Sequence, residues 1–134
     1  MKIIEVEGIG PAYATKLEEA GVKTTDDLLS FGAKPKGRDD LAEKSGINQK
    51  LILEWVNHVD LMRIDGVGSE YSDLLEAAGV DSPPELSHRV AANLATTIEE
   101  LIAARPNIVR RAPSEKVIQG WIDQAKKLPK VVEH

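Results

Sequence analysis

Val6-Glu7-Gly8-Ile9-Gly10 opens a run that closes at Ala20-Gly21-Val22, and the pattern returns as Ile64-Asp65-Gly66-Val67-Gly68, closing at Ala78-Gly79-Val80. Residues 6–28 align with 64–86 without a gap at a spacing of 58, placing Tyr13 over Tyr71 and Leu17 over Leu75. A Gly-apolar-Gly turn that feeds a helix leaves several backbone N–H groups pointing the same way, which suits an anion such as a phosphate. The chain therefore reads as a tandem repeat with phosphate-binding geometry at each copy.

Working outward, the pattern is helical almost throughout. Pro11 is tolerated as a first helical residue, because its missing N–H would be unpaired there anyway. Gly21 suits the left-handed position after a helix end. Thr24 or Thr25 caps the next helix, with Asp26 and Asp27 in its first turn, and this helix stops near Gly32. Residues 33–38, rich in Lys, Pro and Gly, read as an exposed loop, and Asp39 or Asp40 starts a brief helix ending at Gly46. A longer helix follows from a cap near Asn48 to about Met62, with Leu51, Ile52, Trp55, Val56 and Val59 as its apolar stripe. In the second copy, Ser82 caps a helix begun by Pro83-Pro84, Thr97 caps residues 98–105, and Ser114 caps a last helix ended by Pro129. Trp121 takes the part of Trp55 at a spacing of 66, so the second copy holds about eight more residues. No stretch reads as a strand.

Composition narrows the function classes. The 134 residues include no cysteine, which excludes disulfides, thiolate metal sites and cysteine nucleophiles. No apolar run reaches the roughly 20 residues of a membrane span, and the start lacks a signal-peptide pattern, so a cytoplasmic protein without membrane contact is expected. The net charge of −5 argues against a strong generic nucleic-acid binder. Its distribution is uneven: residues 1–60 carry −3, 61–100 carry −6 and 101–134 carry +4. The three histidines, His58, His88 and His134, show no metal-ligand spacing, and no Gly-x-x-x-x-Gly-Lys-Ser/Thr run is present. No catalytic residue, cofactor or metal site is expected, and the chain does not read as an enzyme.

Hydrophobic-x-Gly-hydrophobic-Gly followed by a helix and Ala-Gly-hydrophobic resembles the helix-hairpin-helix motif. Residues 6–11 with Lys16-Leu17, Thr25, Leu28-Leu29, Asp40-Leu41-Ala42 and Gly46-Ile47 are similar to the N-terminal domain of RadA-type recombinases. Gly66 to Tyr71, Leu74 to Val80, Arg110-Arg111, Pro113-Ser114, Trp121-Ile122 and Leu128-Pro129 resemble a bacterial family of paired helix-hairpin-helix proteins classed as a domain of unknown function. The resemblance implies an all-α fold of tandem helix-hairpin-helix (SAM-domain-like) units packed into one helical body, with units at 1–60 and 61–134.

It also implies a binding role. In DNA-binding members of the motif class the hairpin grips the phosphate backbone without reading bases. Gly8, Ile9 and Gly10 with Lys16 form the first candidate, although Glu5, Glu7, Glu18 and Glu19 surround them. Gly66, Val67 and Gly68 sit among Asp65, Glu70, Asp73 and Glu76 and read as a structural turn. Arg110 and Arg111, with Lys116 beyond the Ser114 cap, form a second basic candidate. The expected function is a non-catalytic module with weak, sequence-independent DNA contact. The alternative is a protein-interaction or self-association module in which the hairpins are only scaffold.

Overall fold

The computed structural model describes residues 1–134, and it is all-helical, with no strand. The chain divides into two compact units, Met1–Asp60 with Val131–His134, and Leu61–Lys130. Residues 131–134, which the repeat spacing assigns to the second unit, thus fold with the first.

The first unit holds α1 (Pro11–Glu19), α2 (Thr25–Gly32), α3 (Pro35–Ser45) and α4 (Gln49–Leu61, reaching the unit boundary). Its core is built from Ile3, Leu17, Leu28, Leu41, Ile52 and Trp55, among others. Helix α1 ends on Gly21 (φ +97°), whose N–H donates to Glu18 O at 3.0 Å, while Val22 N–H reaches Leu17 O at 2.8 Å. This Schellman closure satisfies two end carbonyls and buries Val22 against Leu17. Thr24, rather than Thr25, caps α2. Its hydroxyl accepts from Asp27 N–H at 3.1 Å, and the Asp27 carboxylate accepts from the N–H groups of Thr24 (3.1 Å) and Lys23 (3.0 Å). Those donors, Lys23 first, hold the Asp27 carboxyl below its usual value.

The reading of 33–38 as a loop is corrected: α3 begins at Pro35, a tolerated first position. Gly37 lets α2 lie close against α3, since a Cβ there would be 1.9 Å from the Phe31 carbonyl oxygen. Arg38, expected at the surface, is buried, with its guanidinium donating to Gly32 O at the end of α2 and to Glu133 O, both at 2.7 Å. Together with Glu133 N–H donating to Ala33 O (2.7 Å) and the burial of Val132, this fixes the tail.

The second unit holds α5 (Ser69–Ala77), α6 (Pro83–Ser87), α7 (Ala91–Ala104) and α8 (Glu115–Lys127), with α6 and α7 packed on α8. Ser82 and Ser114 cap α6 and α8 through their hydroxyls, as the sequence suggests. Thr97 does not cap a helix. It lies within α7, where its hydroxyl donates to Asn93 O four residues back (3.2 Å), a local bond that lets threonine sit mid-helix.

Candidate functional site

Each repeated glycine stretch folds into the same small device. Ile9 N–H donates to Val6 O at 3.0 Å, closing a four-residue turn whose third residue, Gly8, has φ +87°. A side chain is strained there. The indole Nε1 of Trp55 lies 3.6 Å from where a Gly8 Cβ would stand, so the turn also rests on the tryptophan. Ile9 is buried and pins the turn to the core, while Gly8 and Gly10 stay exposed. Gly10 then takes the N-cap position and Pro11 starts α1. Since Pro11 lacks an N–H and Ala14 N–H bonds Gly10 O (2.9 Å), Ala12 and Tyr13 carry the open donors of the first turn. Tyr13 packs on Trp55 with ring centroids 5.1 Å apart.

The second copy repeats these contacts one by one. Val67 N–H bonds Ile64 O at 3.0 Å, Gly66 has φ +92°, and Trp121 Nε1 lies 3.3 Å from a Gly66 Cβ position. Tyr71 packs on Trp121 at 5.2 Å, and Ser72 N–H bonds Gly68 O at 2.9 Å.

Around this shared device the two copies diverge. In the second, Gly66 and Gly68 also stay exposed, but the chain's own loop between α7 and α8 engages the side chains of the first turn of α5. The Glu70 carboxylate accepts from the Arg110 backbone N–H and pairs with the Arg110 guanidinium at 3.7 Å. The Tyr71 hydroxyl donates to Arg111 O at 2.8 Å. Leu74, one turn on, is buried in the same core as Val109 of that loop. The Gln124 amide also clasps the turn, accepting from Asp65 N–H at 2.9 Å and donating to Asp65 O at 3.2 Å.

In the first copy Ala12 stands for Glu70, and Tyr13, 36 % exposed, makes no hydrogen bond through its hydroxyl within the protein. Lys16, exposed and without an ion pair, stands for Leu74. Gly8 and Gly10 thus lie exposed ahead of the first turn of α1, and Lys16 lies exposed in its last turn. The bond from Ile3 N–H to Lys23 O (3.1 Å) belongs to an antiparallel bridge that pairs Lys2 with Thr24 on the same unit.

Arg110 and Arg111 belong to the second unit, in the covering loop, and Lys116 to the first turn of α8. The Arg110 side chain is 95 % exposed despite its Glu70 partner. Tyr13 is the residue that sequence reasoning passed over. Its alignment with Tyr71 marks it, but an aligned aromatic pair does not by itself tell an exposed hydroxyl from a bonded one.

An all-helical chain built around two equivalent glycine turns defines the class. A family model described as a domain of unknown function, DUF4332, matches residues 7–128, and the chain belongs to that family. No curated protein and no solved structure matches it. No helix is long and apolar enough to cross a membrane.

Proposed function

We propose that the chain is a non-catalytic binding module of two helix-hairpin-helix units, the first of which holds the sugar–phosphate backbone of a nucleic acid weakly and without choice of sequence. The N–H groups of Ala12 and Tyr13, presented by the turn at Gly8, Ile9 and Gly10, are the donors, and Lys16 supplies the charge. The observation carrying this proposal is the open first turn. In its counterpart the side chains of Glu70 and Tyr71 are engaged by the chain's own loop, whereas here Ala12 stands for Glu70 and Lys16 for the apolar Leu74. Arg110, Arg111 and Lys116 are secondary contacts, since Arg110 already pairs with Glu70.

A protein partner is the competing proposal. It is favoured by the way Glu70 and Tyr71 seat a stretch of polypeptide, the chain's own Arg110-Arg111. Fluorescence anisotropy with labelled single-stranded and duplex DNA across a salt series separates the two. Backbone binding weakens steeply with salt and is abolished by Lys16→Glu. If the wild type does not bind at low salt, or Lys16→Glu binds equally well, the protein partner is favoured.

A further inference from the structure

The second unit displays a closed form of a face that the first unit leaves open. Along α5, Tyr71 and Leu74 lie one turn apart on one face. The hydroxyl of Tyr71 is spent on the Arg111 carbonyl oxygen, and Leu74 is sealed in the core. The same positions of α1 hold Tyr13 and Lys16, both exposed. Side chains three residues apart on a helix have Cβ atoms about 5–6 Å from each other, close enough to serve one group. An O–H donor and an ammonium at that spacing, with no carboxylate at position 12, fit an oxyanion. The carbonyl oxygen taken by Tyr71 marks the kind of atom the Tyr13 hydroxyl is placed to meet.

Resting on the backbone-binding proposal above, we infer that the Tyr13 hydroxyl adds a further phosphate contact on the face of α1, beyond the turn's own N–H groups and sharing the charge of Lys16. The Tyr13 hydroxyl donates to a non-bridging phosphate oxygen, Lys16 neutralises the charge, and the ring stays anchored on Trp55. The test uses the full chain and labelled DNA over a salt series. Tyr13→Phe keeps the ring contact and removes only an O–H that has no partner inside the protein, so its melting temperature stays at the wild-type value. Its affinity falls about tenfold at every salt concentration, as for a lost hydrogen bond to a charged group, with an unchanged salt slope. Lys16→Gln instead makes the log–log salt slope shallower by about 0.9. Tyr71→Phe lowers the melting temperature and leaves affinity alone. If Lys16→Gln changes binding while Tyr13→Phe matches the wild type, the Tyr13 contact is refuted and the backbone-binding proposal stands. Equal losses from Tyr13→Phe and Tyr71→Phe also refute the contact. A wild type without salt-sensitive binding overturns both.

Discussion

Replacing Gly37 by alanine should destabilise the first unit, although the same change in an open helix stabilises. Glycine inside a helix costs about 1 kcal/mol relative to alanine, so propensity alone predicts a gain. At Gly37, however, the new Cβ would stand 1.9 Å from the Phe31 carbonyl oxygen, a backbone atom of α2 that cannot rotate away. Helix α3 must retreat by roughly 1 Å, and overpacking of this kind costs about 1–3 kcal/mol. The next residue, Arg38, then loses the geometry of its 2.7 Å bond to Gly32 O, worth about 1.5–3 kcal/mol for a charged donor. The net is a loss of about 1.5–5 kcal/mol. Gly120 in α8 provides the control, because its Cβ would meet nothing within 4 Å. Gly120→Ala should therefore gain about 1 kcal/mol. Urea unfolding followed by far-UV circular dichroism measures both. A Gly37→Ala protein as stable as the wild type, or two changes of the same sign, would refute the packing of α2 on α3 described here.

Three further outcomes follow from named contacts. Asp27 has a lowered carboxyl pKa, so its contribution is full above the unfolded value of 3.8 and is lost as pH falls through the folded one. The stability difference between wild type and Asp27→Asn should accordingly be present at pH 7 and shrink below about pH 4 in pH-dependent unfolding. Glu70→Ala removes the hold on the Arg110 backbone and side chain, so limited trypsin digestion should cut at Arg110 and Arg111 faster than in the wild type. Arg38→Met deletes two bonds to carbonyl oxygens, and the loss should approach about 3 kcal/mol, with faster carboxypeptidase removal of residues 131–134 as the tail is released.

Much of this was legible in the residues, for physical reasons that differ by place. The two glycine turns announce themselves because positive φ and close approach to an indole leave glycine as the unstrained choice at Gly8 and Gly66. Ser82, Ser114 and the closures at Gly21 and Gly79 are local signals, set within a few residues of one another. The start of α3 was hidden because Lys34, Pro35, Lys36 and Gly37 carry loop composition, and the reason they are helical lies in α2 and in the distant Glu133. Thr97 misled because a cap and a mid-helix threonine use the same hydroxyl, and only the position of Asn93 O distinguishes them. At the candidate site, residues 8–10 and Lys16 follow from the repeat. The closure of the second copy depends on Glu70 and Tyr71 meeting Arg110 and Arg111, forty residues away, and no spacing encodes that. The exposure of Tyr13 follows from the same missing loop in the first copy.

The two glycine turns are alike in backbone and unlike in the side chains that surround them. Titrating the isotope-labelled chain with a short oligonucleotide and following backbone amide resonances tests it directly. The amides of Gly8, Gly10, Ala12, Tyr13 and Lys16 should shift together and saturably, while those of Gly66, Gly68, Glu70, Tyr71 and Leu74 stay in place. Shifts centred on the second turn, or none in the first at low salt, would contradict the account.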